Sequence, residues 1–126
     1  MINLSGDYYS CTDSGVGSQP VSVAFWAMAD DTADMAFVFI GDHGSGLWVG
    51  TSPSGYIQGV ADNGTVRSGV STVKMTGALV HICVVFAYAS RTVYINGAQN
   101  GQDVFNLSVS PSPSEVWVGN DPSSSL

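Results

Sequence analysis

Apolar residues occur along this chain in short unbroken runs and in alternation with polar residues, and both patterns are typical of β-strands. A long run from Val80 to Tyr88 is rich in valine, isoleucine and aromatic residues, and a shorter run from Thr92 to Ile95 follows it. Asn96-Gly97 closes the second run. This dipeptide favours a type I′ turn, because both central residues of that turn need a positive φ. The chain is therefore predicted to be β-rich and built from hairpins.

Turn residues recur at short and fairly even intervals, which favours a sandwich or barrel over a parallel sheet with crossover helices. Helix-forming residues with charged side chains are nearly absent, so we expect an all-β fold. The 126 residues are predicted to form one domain, residues 1–120, followed by a Ser-rich tail, residues 121–126. The predicted strands are Ile2 to Leu4, Asp7 to Cys11, Val21 to Met28, Met35 to Ile40, Gly46 to Gly50, Tyr56 to Ala61, Thr65 to Ser68, Leu79 to Tyr88, Thr92 to Asn96, Val104 to Ser108 and Glu115 to Gly119.

Alternation assigns the faces of the longer strands. Val21 to Met28 and Leu79 to Tyr88 carry apolar residues on both faces, so both are predicted to be central and largely buried. His81 lies on the second of them and is expected to be a hydrogen-bonded core residue. Val104 to Ser108 alternates polar with apolar residues, which predicts a strand with one solvent-exposed face.

The charges restrict the possible partners. The chain has 3 Lys or Arg against 10 Asp or Glu, for a net charge of −7. Such a surface repels phosphate backbones, so neither nucleic acid nor an anionic membrane is an expected partner. The sequence has no stretch typical of a membrane span, and its N-terminus lacks the pattern of a secretory signal.

The two cysteines, Cys11 and Cys83, lie far apart and have no CxxC spacing, so a metal cluster is not supported. Each falls within an apolar strand, where a free thiol behaves as a small buried hydrophobic group. We expect free thiols, with a disulfide between the two as the alternative.

Catalysis is not expected from the residues present. A retaining glycosidase needs two carboxyl groups about 5 Å apart, yet Glu115 is the single glutamate and no predicted strand carries an acidic pair at even spacing. His43 and His81 are the two histidines, and no Gly-x-Ser-x-Gly motif occurs. We therefore predict that the protein is not an enzyme.

Several short motifs follow one another in an order that resembles the laminin-G-like, concanavalin A-like jelly-roll domains. Gly6 to Tyr9 followed by Val21 to Trp26 is similar to the start of these domains. Val80 to Val84 resembles their Trp-His strand, with valine in place of the usual tryptophan, and Arg91 to Gly97 resembles their Tyr-Val-Asn-Gly hairpin. Val116 to Asn120 is similar to the next strand. The resemblance implies an antiparallel β-sandwich with jelly-roll topology.

In this family a further strand normally follows and pairs back near the N-terminus, and the sequence ends before it. Without that strand its neighbours would expose unpaired backbone groups. We expect a second copy, a segment of a partner or a rearranged N-terminus to cover the gap. The alternative is a shortened sandwich whose Ser-rich end folds over the edge. The first reading predicts an assembly with other protein subunits, most simply a homo-oligomer.

The resemblance also implies a calcium ion at a loop-rich rim, where hard oxygen ligands in glycine-containing turns suit that ion. The candidate ligands in this sequence are Asp42, Asp62 and Asn63. The alternative is that these residues serve ordinary turn chemistry. Calcium is the one cofactor that the sequence leaves open.

A ligand-binding surface is the other candidate site. Trp48 and Tyr56 flank a Ser-Pro-Ser-Gly turn, and aromatic rings near polar loops can stack on a sugar while Asp62 and Asn63 bind its hydroxyl groups. The alternative is that Trp48, like the other tryptophans, packs in the core of the sandwich.

Two functions remain open after these exclusions. The first is a non-catalytic structural, decoration or adhesion subunit that displays a lectin-like jelly roll on a larger assembly, such as the capsid or tail of a virion. The second is a free-standing module that recognises a carbohydrate or a protein, with or without calcium. The absence of an export signal and the short chain beginning at Met1 favour the first. The expected location is a virion surface, or the extracellular space without a signal peptide of its own, and a cell-surface glycan is a possible ligand.

Overall fold

The computed structural model describes residues 8–11, 19–28, 36–42, 45–110 and 115–119. Ten strands and no helix occur within these ranges, which confirms the all-β prediction. The predicted strand Ile2 to Leu4 and the predicted tail lie outside the described residues. The strands are β1 Tyr8–Cys11, β2 Val21–Ala27, β3 Ala36–Asp42, β4 Ser45–Thr51, β5 Tyr56–Asp62, β6 Val66–Lys74, β7 Val80–Ala87, β8 Ser90–Ile95, β9 Ala98–Val104 and β10 Val116–Gly119.

The strands form two antiparallel sheets, which pack as a β-sandwich. The larger sheet has six strands in the order β1-β10-β3-β4-β5-β6, and the smaller has four in the order β2-β7-β8-β9. Strand β10 is hydrogen-bonded on both sides, to β1 and to β3. Strand β1 therefore pairs with one side of β10. How the gap left by the absent family strand is covered stays a prediction.

The core lies between the sheets and follows the predicted alternation. Leu47 and Val49 of β4 are fully buried, and Ile82, Val84 and Phe86 of β7 pack against them. The sequence predicted that both faces of this strand are largely buried, and the structure places the face with these three residues in the core. Truncating a buried aromatic such as Phe86 to alanine is expected to lower the free energy of unfolding by about 3–5 kcal/mol.

The two sheets come close together where β6 and β9 meet. A Cβ atom added to Gly69 would overlap the backbone carbonyl of Arg91, and one added to Gly101 would overlap the carbonyl of Val70. Glycine is required at both positions because only hydrogen atoms fit between these backbones. This close approach sets the positions of the inward-facing side chains of β6, β8 and β9.

The predicted Asn96-Gly97 turn is confirmed, with φ of 50° and 83°. It joins β8 to β9, a strand that the sequence did not predict because Ala98–Val104 is polar and lacks alternation. The strand predicted over Val104 to Ser108 is wrong, because β9 ends at Val104 and residues 105–110 have no regular secondary structure. Leu107 and Val109 are buried in the core nonetheless, since their amides donate to Tyr88 and Gln19.

Strand β7 is central, as predicted, but the prediction that β2 is central is wrong. Within the described residues β2 pairs with β7 alone, and its side chains alternate between half-buried and exposed. The apolar residues on its outer face mimic those of a buried strand. No helix in the described residues is long and apolar enough to span a membrane.

Candidate functional site

Trp48 lies on the outer face of the six-stranded sheet, outside the core of the sandwich. Leu47 and Val49 on either side of it point into the core, so the outer face of β4 carries Trp48 between Gly46 and Gly50. Because glycine has no side chain, β4 itself leaves the ring of Trp48 unobstructed along the strand. Trp48 is half-buried, so part of the ring faces solvent.

The neighbours of Trp48 in the sheet form a second apolar layer. Phe39 of β3 and Val60 of β5 lie in register with it on the same face. Both are buried, although neither belongs to the main core cluster. Trp48 therefore lies between two apolar side chains on the same face of the sheet, which is an arrangement suited to presenting part of an aromatic ring to a ligand.

Tyr56 lies on the same sheet but not beside Trp48. It begins β5, four residues before Val60, which corresponds to about 14 Å along the strand. The Nζ atom of Lys74 lies 4.7 Å from the centre of the Tyr56 ring, so this ring already has a cationic partner. The structure thus separates two aromatic residues that the sequence placed in one site.

The Asp62-Asn63 turn is held by its own hydrogen bonds. The Gly64 amide donates to Oδ1 of Asp62 at 2.8 Å, and Gly64 has a φ of 89°. The side-chain amide of Asn63 donates to the carbonyl oxygen of Ser108 at 2.9 Å. These contacts agree with the alternative in which Asp62 and Asn63 stabilise a turn. They also fix the turn at the end of the strand that neighbours Trp48.

Asp42 and Asp62 lie at the same end of the six-stranded sheet. Asp42 pairs with Ser45 and Asp62 pairs with Gly46, so β4 lies between the two aspartates and their strands are about 10 Å apart. The described residues contain no group of three or more His, Cys, Asp or Glu that could hold a metal ion. A calcium site at Asp42, Asp62 and Asn63 stays a prediction.

The outer face of the four-stranded sheet carries no formal charge. Arg91 and Asp103 are the two Asp, Glu, Lys or Arg residues of its four strands. Both lie in register with Phe86, a core residue, and therefore point inward. We call this surface the uncharged face, and it is formed by Ser22, Ala24, Trp26, His81, Cys83, Val85, Ala87, Ser90, Thr92, Tyr94, Gln102 and Val104.

An apolar corner lies at one end of the uncharged face. Trp26, Leu79 and Met28 are 64%, 57% and 51% exposed. Trp26 and His81 are directly opposite each other on β2 and β7, with ring centres 5.2 Å apart and planes tilted by 60°. His81 is half-buried on the outer face, so the prediction that it is a core residue is wrong. We define the apolar corner as Trp26, Met28, Leu79 and His81.

A charged network fills the opposite side of the same sheet. Arg91 is 0% exposed, and its Nη2 donates to Oδ2 of Asp103 at 2.9 Å and to the Phe105 carbonyl at 2.8 Å. Arg67 of β6 binds the same carboxylate through Nε at 3.0 Å and Nη2 at 2.6 Å. Its guanidinium also lies 4.4 Å from the centre of the Phe105 ring. We call Arg67, Arg91 and Asp103 the buried charge network.

The network shifts the acidity of its members. Hydrogen bonds, chiefly from Arg67 and also from Arg91, hold the pKa of Asp103 below its usual value. The hydrogen bond to Asp103 raises the pKa of Arg67. Within the described part of the chain, Nε and Nη1 of Arg91 have no hydrogen-bond partner. No sequence pattern indicated this network, because Arg67 and Asp103 are 36 residues apart.

The structure tests the prediction of free thiols for one of the two cysteines. Cys83 is a free thiol on the uncharged face, half-buried rather than in the core. The prediction of free thiols therefore holds for Cys83. The side chain of Cys11 is not among those described.

Comparison with known proteins agrees with the fold. A family profile described as the concanavalin A-like lectin/glucanases superfamily matches residues 3–126. Among solved structures, the mouse laminin alpha1 chain, domains LG4-5, matches with a TM-score of 0.75 and 7% sequence identity. The match covers 92% of this chain and 32% of that chain. A search of curated proteins found no match.

Proposed function

Because the chain belongs to the concanavalin A-like lectin/glucanases superfamily, we propose that it is a non-catalytic recognition module that binds a neutral glycan. The observation that carries the proposal is the position of Trp48 on the outer face of the six-stranded sheet, between two glycines along β4 and beside buried Phe39 and Val60 on the adjacent strands. A fixed, partly exposed indole ring can stack on the apolar face of a sugar ring. Asp62 lies on the neighbouring strand, within reach of the hydroxyl groups of the same ligand.

The charges favour a neutral glycan over a sulfated or otherwise anionic one. The chain has 3 cationic residues in all. Arg67 and Arg91 bind Asp103, and Lys74 lies over the ring of Tyr56. No cluster of cations is left to attract an anionic polymer to a chain of net charge −7.

The residues also favour binding over hydrolysis. A glycosidase needs a carboxyl group whose pKa is raised so that it can donate a proton. The pKa of Asp103 is shifted in the opposite direction by two arginines. Glu115, the single glutamate of the chain, lies just before β10.

We propose further that the module acts as an adhesion or decoration subunit of a larger assembly, at a virion surface or elsewhere outside the cell. Weak binding of single sugars is typical of adhesion through many copies, because linked sites raise the effective affinity. Calcium held by Asp42, Asp62 and Asn63 would rigidify the turn beside Trp48.

The test is a glycan array followed by calorimetric titration of the best soluble oligosaccharide. Trp48→Phe keeps an aromatic ring between Phe39 and Val60 but removes part of the stacking surface. We expect it to weaken binding up to about tenfold, because contacts with an aromatic ring contribute roughly 0.5–1.5 kcal/mol. Trp26→Ala, on the opposite sheet, is the matched control and should leave the dissociation constant unchanged.

Two outcomes would contradict the proposal. One is the absence of binding to any neutral glycan on the array. The other is an equal loss of affinity in Trp48→Phe and Trp26→Ala, which would show that the six-stranded sheet is not the site. The titration is repeated with calcium and with a chelator, and an unchanged affinity and melting temperature would remove the calcium proposal.

A further inference from the structure

The uncharged face is unlike the rest of this acidic chain. The chain has 10 Asp or Glu residues, whereas the outward-facing residues of β2, β7, β8 and β9 include neither. The side chains on that face are apolar, aromatic, hydroxyl or amide groups. Depletion of charge together with enrichment in Trp, Tyr and Met is the composition of the core of a protein interface.

The apolar corner strengthens this assignment. Trp26, Met28 and Leu79 each expose more than half of their surface. They lie together, because Trp26 faces His81 across the strands and Met28 and Leu79 extend the same two strands by the next outward-facing position. A contiguous exposed apolar patch is a mark of an interaction site, whereas scattered exposed hydrophobic residues are not.

We propose that the uncharged face binds a second copy of this chain and forms a reversible, symmetric dimer. Two copies of net charge −7 repel each other, and the repulsion is smallest where neither copy presents a charge. A symmetric dimer places the same patch on both partners. An apolar, uncharged patch is complementary to itself, since it needs no opposite charge on its partner.

The size of the face sets the strength of the dimer. Four strands about 4.8 Å apart and seven residues of about 3.4 Å each give a surface of about 450 Å². A standard protein interface buries about 800 Å² on each partner. The dimer is therefore weak, with a dissociation constant on the order of 10⁻⁴ M.

The dimer leaves the glycan-binding face free. Trp48 lies on the outer face of the six-stranded sheet, and the uncharged face lies on the other side of the sandwich. Pairing through the four-stranded sheets turns both Trp48 surfaces outward, in opposite directions. The dimer stands independently of glycan binding, and either proposal can fail alone.

The experiment is sedimentation velocity of the wild-type chain from about 10 µM to about 1 mM, which brackets the expected dissociation constant. We expect the sedimentation coefficient to rise from that of a monomer towards that of a dimer. Added salt should increase the dimer fraction, because it screens the repulsion between acidic copies. An interface held by ion pairs would respond in the opposite direction.

Two matched variants locate the interface. Ala24→Glu adds a negative charge in the exposed row of β2 on the uncharged face. Val66→Glu adds the same charge on β6 of the six-stranded sheet, at a residue that is 63% exposed. Both variants have the same net charge. We expect Ala24→Glu to reduce the dimer fraction at least tenfold and Val66→Glu to leave it within twofold of the wild type.

Three results would overturn the proposal. The wild-type chain could remain a monomer over the whole concentration range. The two charge variants could weaken the dimer equally. Finally, the wild-type chain could remain monomeric while Trp26→Ala abolishes glycan binding in the titration, which would assign the uncharged face to a sugar ligand. Circular dichroism and thermal melting of both variants establish that each is folded.

Discussion

The four-stranded sheet has two faces that reverse the usual distribution of side chains. Its inner face carries Arg91 and Asp103 into the sandwich, and Arg91 is completely buried. Its outer face carries Trp26, one of the most exposed large hydrophobic residues of the described chain. Charge lies inside and an indole ring lies outside, and strands β8 and β9 form part of both faces.

The residues of the inner face are expected to affect stability, and those of the outer face to affect binding. A buried charge is tolerated only when its partner is present, because the protein interior cannot solvate it. An exposed tryptophan contributes little to folding, so its cost in solubility needs another explanation, such as a contact with a partner. We therefore expect substitutions on the inner face to change the free energy of unfolding, and substitutions on the outer face to change association.

Among the substitutions of charged residues, the largest expected effect is that of Asp103→Asn. The amide cannot neutralise Arg91, which is left as an uncompensated buried cation, so the free energy of unfolding should fall by about 2–4 kcal/mol. Urea unfolding measures this loss. Glu115→Gln removes one negative charge from a half-exposed residue and is the control, with an expected change within about 0.5 kcal/mol.

Arg91→Met is a second test of how the buried charge network affects stability. Methionine fills a similar volume without a charge, and it also removes the Nε and Nη1 groups that have no hydrogen-bond partner in the described residues. Arg67 still binds Asp103 in this variant. The loss of stability should be smaller than in Asp103→Asn. A larger loss would mean that Arg91 is a net source of stability.

The next effect is the dependence of stability on pH. The pKa of Asp103 is lower in the folded chain than in the unfolded chain, chiefly because of its hydrogen bond with Arg67. The stability that this carboxylate contributes is fully present above its unfolded pKa of about 4. It is lost as the pH falls through the lower, folded pKa. At low pH the free energies of unfolding of the wild type and Asp103→Asn, measured with urea, should converge. A difference that stays constant down to low pH would contradict the role of the Asp103 carboxylate.

The smallest effect on folding is expected for Trp26→Ala. Its ring contacts His81 and is otherwise largely exposed, so the free energy of unfolding should change by no more than about 0.5–1 kcal/mol. Sedimentation of the same sample should show a reduced dimer fraction. A large loss of stability without a change in association would make Trp26 a folding residue and remove the contrast between the faces.

Much of the fold was predictable from local pattern. The apolar run Val80 to Tyr88 identified β7 as a central strand, and Asn96-Gly97 identified the turn between β8 and β9. Steric limits on φ and the period of a strand depend on neighbouring residues alone, so the sequence carries them directly. The resemblance to laminin-G-like domains was also carried by short motifs in a fixed order, and the family match and the sandwich agree with it.

The candidate site was predicted less completely. The sequence left Trp48 open between a surface site and the core, and the structure places it on the outer face of the sheet. The sequence also grouped Trp48 with Tyr56, and the register of β4 and β5 places them at different points of the sheet. It missed Trp26 as a surface residue, since an apolar strand at the edge of a sheet has the same pattern as a central one. It placed His81 in the core because β7 carries apolar residues on both faces.

The amino-acid sequence by itself determined that this chain folds into antiparallel hairpins with one apolar side, because those properties depend on residues next to each other. Only the tertiary structure decided that β9 is a strand, since its polar residues pair with β8 without any alternation of their own. Tertiary structure also brought Arg67 of β6 to Asp103 of β9 and left Trp26 in solvent. These outcomes depend on which strands become neighbours and which lie at an edge, and long-range packing alone sets both.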